Sequence, residues 1–293
     1  MFARTAQPKI LTLPIVVLLA AGCGGGDAGS GGSEGGGAAS SSQPAASSVD
    51  PATAGHISGM VTFAGMPPSA GMIDMAEEPT CAEKHGDGGA MTETVVVGPD
   101  GGLANVFLYV KEGLSGQTFP TPEAAVLDQD GCVYHPHVLG LQIGQDMIIR
   151  NSDGLLHNIN ASPSENRPFN VSQPVNMDTE RSFRSAEVMI PLRCDVHGWM
   201  SAYVGVLEHP YHSVSGADGA FSLETLPPGD YVIEAWHEAY GTLTQNVTVA
   251  TGETAQISFE FTEDMAGNHV PLAEPWTLRH NGAHAHADGT DPM

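Results

Sequence analysis

Three donor side chains at fixed spacing, in Cys194-Asp195-Val196-His197-Gly198-Trp199-Met200, constrain this chain more than any other feature. A thiolate, an imidazole and a thioether fall on one short stretch, directly after the apolar run Val188-Met189-Ile190-Pro191-Leu192. A second imidazole, His157, lies upstream, just past the strand-like run Asp146-Met147-Ile148-Ile149-Arg150. One short loop cannot surround a metal ion. A site built from these residues therefore needs a fold that brings the ends of separate strands together.

Two imidazoles, one thiolate and one weak axial thioether are the donors of a blue-copper electron-transfer site. Soft sulfur suits Cu(I) and imidazole suits Cu(II), so a site between the two passes one electron with little rearrangement. The order of the donors, a His followed by Cys-x-x-His-x-x-Met, resembles that of the cupredoxin family, with the short loop of the amicyanin-type arrangement. The resemblance covers roughly residues 146 to 207. It implies a Greek-key β-sandwich with copper at one end, held by His157, Cys194, His197 and Met200. It also implies that Asn158 bonds across to the Cys loop as a support behind the ligands. His197 is then the solvent-side ligand through whose edge electrons pass, ringed by Leu155, Leu156, Gly198 and Trp199. Trp199 reads equally well as a buried core anchor.

Enzymatic copper chemistry is not expected. A binuclear electron-transfer centre needs a second cysteine close to Cys194, and none is near. Multicopper oxidases use several His-x-His pairs and a His-Cys-His segment, whereas this chain has two such pairs, His135-Pro136-His137 and His284-Ala285-His286, and Arg193 precedes the Cys. Zinc could take the Cys and both His, but the neighbouring Met favours copper. The expectation is a one-electron carrier. The alternative is a non-redox lipoprotein that holds copper, or a binding scaffold whose cupredoxin site is degenerate.

Residues 1–22 read as an export leader, with Arg4 and Lys9 ahead of an apolar stretch too short to span a bilayer. The leader ends in Leu19-Ala20-Ala21-Gly22-Cys23, which resembles a bacterial lipobox, so Cys23 is the expected lipidation site and the cell envelope the expected location. Residues 23–54 are mostly Gly, Ser and Ala and read as a flexible tether. With Cys23 lipidated and Cys194 on copper, Cys81 and Cys132 remain. In an exported chain they either pair as a disulfide or, with His85, His135 and His137, form a second metal site. The formal charge of −24 excludes nucleic acid as a partner. It suits either a basic redox partner such as a c-type cytochrome, or simple solubility.

Helical periodicity is nearly absent. Short β-branched and aromatic runs between Gly, Pro, Asn and Asp predict an all-β fold of two sandwiches. The copper domain is expected over residues 55–208. A smaller unit is expected over residues 209–262, where Asp218-Gly219, Leu226-Pro227-Pro228-Gly229-Asp230 and the alternating segments 245–250 and 255–261 resemble a carboxypeptidase regulatory-like, transthyretin-type β-sandwich. There Trp236 and His237 are expected to pack rather than bind. Residues 263–293, with His280, His284 and His286, read as a disordered tail, either solvated or a weak copper-collecting arm.

Overall fold

The computed structural model describes residues 49–267. The leader, Cys23, most of the tether and the histidines of the tail lie outside the described residues. Within them the fold is all-β, apart from one short helix, α1 (Pro79–His85), and two 3-10 turns.

Nine consecutive strands build the first sandwich. They are β3 (Ala125–Asp130), β4 (Val133–His135), β5 (Val138–Gln142), β6 (Met147–Asn151), β7 (His157–Ala161), β8 (Phe169–Gln173), β9 (Met177–Arg181), β10 (Glu187–Arg193) and β11 (Ser201–Leu207). One sheet has the order β4-β3-β6-β9 and the facing sheet β5-β11-β10-β7-β8. The period of two is plain in β6, where Met147, Ile149 and Asn151 turn inward and Ile148 and Arg150 turn outward. Inward residues from both sheets, among them Leu127, Ile149, Ile159, Leu192 and Val204, make one core.

The second sandwich draws on both ends of the described chain. Its strands are β1 (Gly55–Ala64), β2 (Phe107–Glu112), β12 (His212–Val214), β13 (Ala220–Leu226), β14 (Gly229–His237), β15 (Gly241–Val249) and β16 (Thr254–Thr262). They form the sheets β13-β1-β16 and β12-β2-β14-β15. β1 runs parallel to β16, from His56 opposite Thr254 to Ala64 opposite Thr262. β2 pairs with β14, Ala235 facing Leu108. A chain-order division at residue 208 is thus not how the sheets divide: the nine-stranded sandwich is inserted between β2 and β12 of the other. The pattern of Ile57, Val61 and Phe63 marks β1 as half-buried but carries no information about a partner some two hundred residues away. The Asp218-Gly219 turn likewise closes no hairpin, because β12 pairs with β2 and β13 with β1. Trp236 and His237 are buried, Trp236 in the junction between the sandwiches and His237 beside Tyr240.

The two sandwiches meet across β11, which is buried on both faces. Ala202, Val204 and Val206 face the first core. Tyr203 and Leu207 face a separate apolar cluster with Phe107, Tyr109 and Trp236. Gly140 and Gly205 sit opposite each other on β5 and β11 and make this surface flat. A Cβ on Gly205 would lie 2.6 Å from the Phe107 ring, and one on Gly140 2.3 Å from the His212 ring. Phe107 and His212 stack on each other at 5.6 Å over that spot.

Candidate metal centre

The loops β6–β7, β8–β9 and β10–β11 close one end of the first sandwich. His157 is the first residue of β7, paired with Gln173 of β8. Cys194 directly follows β10, and the loop after it folds tightly. The Cys194 N–H donates to the Met200 carbonyl at 3.2 Å, Met200 N–H donates to the His197 carbonyl at 2.9 Å, and the His197 N–H points at Cys194 Sγ at 3.4 Å. This folding turns His197 back toward His157. The two Nδ1 atoms stand 2.8 Å apart, and Cys194 Sγ is 3.9 Å from His197 Nδ1. One donor atom from each of His157, Cys194 and His197 lies within 4.8 Å of the others, and all three residues are buried. Met200 is buried in the same core cluster as Cys194.

Electrostatics pair the sulfur with a protonated imidazole. Burial pushes the Cys194 thiol up, but hydrogen bonds from His157 and His197 outweigh it and bring its pKa down to about 6. Burial lowers His157, and Asp153 together with the Cys194 thiolate outweighs that and raises it to about 9. The sulfur is therefore ready as a thiolate, the form that binds metal.

Two supports hold the ligands. Asn158 Oδ1 accepts the Asp195 N–H at 2.6 Å and lies 3.4 Å from Cys194 Sγ. Its amide donates to Asn170 and Asp195, and the Asp195 carboxylate is further held by Asn160 and Asn170. The second support, Asp153, carries no signal in the sequence beyond a turn-forming Ser-Asp-Gly. Its fully buried carboxylate accepts from His157 Nε2 at 2.8 Å and from Lys84 Nζ at 2.9 Å. It also accepts the N–H groups of Gly131 and Cys132 at 2.7 and 2.8 Å. Burial would raise this carboxyl, but His157, Lys84 and the two backbone donors hold it well below the usual carboxylate range. A carboxylate that only accepts fixes the proton on His157 Nε2 and leaves Nδ1 facing inward.

His197 is not at the surface. It is 4% exposed, with Nε2 3.9 Å from Cys81 Sγ and its ring 5.1 Å from that of Trp199. Cys81, on α1, is joined to Cys132 in a disulfide, so a clamped segment covers the edge expected to face solvent. Nothing in the sequence places those cysteines near His197, because residues 65–94 hold little apolar periodicity. Trp199 packs against the core and donates its Nε1–H to the Cys132 carbonyl, which makes it an anchor for the cap. Of the expected collar, Leu156 is exposed and Leu155 half-buried against the core; Val196, between the Cys and the His, is also exposed.

His85, His135 and His137 form no ligand group with one another among the described residues. His85 Nε2 bonds the Gly131 carbonyl and His137 pairs with Glu238 across the sandwich junction. Cys132, though near Asp153 and His157, is committed to the disulfide.

Residues 201–262 match the carboxypeptidase regulatory-like domain. The match runs from β11 to β16 and leaves out β1 and β2. No curated protein matches the chain. Among solved structures, the chain is similar to the Cu-containing nitrite reductase (NirK) from Thermus scotoductus SA-01. That likeness covers 34% of this chain and 26% of the other at 16% identity and a TM-score of 0.28, so this chain spans about a quarter of that protein. It is similar to a purple cupredoxin from Nitrosopumilus maritimus over 29% of its length and 99% of the other chain, at 19% identity and a TM-score of 0.25. A variant of amicyanin with Cu(I) gives 20% identity and a TM-score of 0.25 over 28% of this chain and 81% of that one.

The donor set fits a single ion of borderline softness. Two imidazole nitrogens and a thiolate converge at a buried point, with a carboxylate fixing one imidazole from behind; an ion binding there displaces the proton that His157 otherwise keeps.

Proposed function

We propose that this protein holds one copper ion between His157, Cys194 and His197, with Met200 as the weak fourth donor, and carries electrons one at a time. The convergence of His157 Nδ1, His197 Nδ1 and the Cys194 thiolate carries this reading. When bound, copper supplies a one-electron couple. The chain's own residues keep the ligands in one geometry: Asp153 orients His157, Asn158 pins the backbone after Cys194, and burial excludes water. Sealed donors favour a carrier over an enzyme, since substrate turnover needs an open position beside the metal. The same reading places the protein in the bacterial cell envelope, anchored by a lipid on Cys23. Its partner is then a redox protein, and the charge of −24 favours a basic one such as a c-type cytochrome.

The cover over His197 supports a second reading, that the protein holds copper for delivery without redox work. Visible and EPR spectra of the protein loaded with one Cu(II), beside Cys194→Ala, test both. An intense thiolate-to-copper band, absent in the variant and reversibly bleached by a reductant, supports electron transfer. Copper that is held and then lost to a chelator without such a band supports holding. Protein that retains no copper rejects both.

A further inference from the structure

The cap that buries His197 leaves a different approach to the Cys194–Met200 loop. A cleft of about 310 Å³ runs beside that loop, with Trp199 and Met200 in its wall. Met72 and Met91 line the same cleft and pair across an isolated antiparallel bridge. Bridge partners point to one face with Cβ atoms about 4.5–5.5 Å apart, so the two thioethers share one side of the cleft. Met72 is 66% exposed and Met91 47%. Side chains left this wet gain little from apolar burial. What methionine offers there, and leucine does not, is a soft polarizable sulfur.

The surroundings are built for a cation. Asp74 and Glu93 line the cleft; His137 lines it too but is paired with Glu238, so the charge near the two thioethers stays net negative. Gly89, whose φ of +62° itself calls for glycine, lies diagonally across from Met72, and a Cβ there would stand 3.0 Å from Met72 Sδ. Thioether donors select Cu(I) over harder divalent ions such as Zn(II).

We propose that Met72 and Met91 form a second metal site, a surface acceptor for a soft univalent cation, at the cleft that reaches Met200. The reading of the buried site as a copper centre supplies the identity of the ion, Cu(I); the thioether pair stands on its own geometry. Binding is ligand exchange alone: Cu(I) leaves its carrier's donors for two thioethers, and no electron or proton moves.

The test uses the full chain carrying Cys194→Ala and Cys23→Ala, so that neither the buried site nor a second thiol competes, with methionine methyl groups labelled with carbon-13 and Ag(I) as the probe. The Met72 and Met91 methyl signals move together within the first equivalent of Ag(I), while Zn(II) leaves them in place. Met60, exposed but paired with Ala220 and Ser258, is the internal control. In the same background, Met72→Leu with Met91→Leu keeps the apolar volume and weakens the first Ag(I) equivalent by about tenfold or more. Ag(I) uptake that leaves both methyl signals unmoved, or an unchanged first affinity in the double variant, overturns the site. Failure of the buried copper centre shows instead in the spectrum of the unsubstituted protein, so the two are told apart.

Discussion

The Asp153 carboxylate accepts the Nε2–H of His157 at 2.8 Å, and this one bond decides which nitrogen of the imidazole faces Cys194. Because Asp153 also gathers Lys84 of α1 and the N–H groups of Gly131 and Cys132, one carboxylate ties His157 to the segment that covers the site. Asp153→Asn keeps an acceptor oxygen but removes the charge. Copper affinity is expected to fall by about 10–100-fold, the usual cost of losing a support behind a metal-binding histidine. Competition against a chelator of known affinity measures it, and an unchanged affinity would show that the His157 tautomer is set elsewhere.

The Cys81–Cys132 bridge closes a separation of 51 residues and packs Sγ of Cys81 against His197 Nε2. Replacing both cysteines by Ala is expected to cost about 2–4 kcal/mol, read from urea unfolding. A purely global effect would leave His197 protected in the fraction that stays folded. The cover predicts more: in the metal-free variant His197 reacts with diethylpyrocarbonate under native conditions, whereas in the parent it does not. Equal protection in both would mean that Trp199 alone shields the ring.

The candidate donors were legible because their chemistry is local: Cys194, His197 and Met200 share one loop, and His157 follows a short apolar, strand-like run. What covers them was not. Only Cys81 on α1 is buried, so the helix shows no apolar stripe, and its place over His197 is set by a bond to a residue far along the chain. Asp153 reads as a turn former until the turn is seen against β7 and the β3–β4 turn. The division of the strands was hidden for a related reason. β1 alternates as a half-buried strand does and β2 is an apolar run buried on both faces, and neither pattern records which strand is the partner.

Gly140 and Gly205 make a further case of non-local information, since neither lies in a turn that demands glycine. Their role is the approach of Phe107 and His212 from the other sandwich. Gly205→Ala puts a methyl group where the Phe107 ring stands, and an overpacked contact of this kind costs about 1–3 kcal/mol. The expected result is a lower unfolding midpoint with the copper spectrum unchanged, because the junction lies on the outer face of β11. A spectral change would show that the junction and the site are mechanically linked.

A titratable contact also crosses that junction. His137 Nε2 donates to Glu238 in the β14–β15 turn, and its Nδ1 donates to the Ser201 carbonyl of β11. Burial lowers the pKa of His137, but the bond to Glu238, with the nearby charges of Glu238 and Glu93, outweighs it and raises the value above the ordinary 6.5. A histidine that binds its proton more tightly when folded stabilises the fold fully below its unfolded pKa. That contribution disappears as pH rises through the elevated folded value. His137→Gln should therefore destabilise the protein most near pH 6, by about 1.5–3 kcal/mol if the pair behaves as a charged hydrogen bond. The deficit should shrink steadily as pH is raised toward 9. Urea unfolding of parent and variant at the two pH values measures the difference. A deficit that stays constant, or grows with pH, would mean that His137 acts through packing against Tyr203 rather than through its charge.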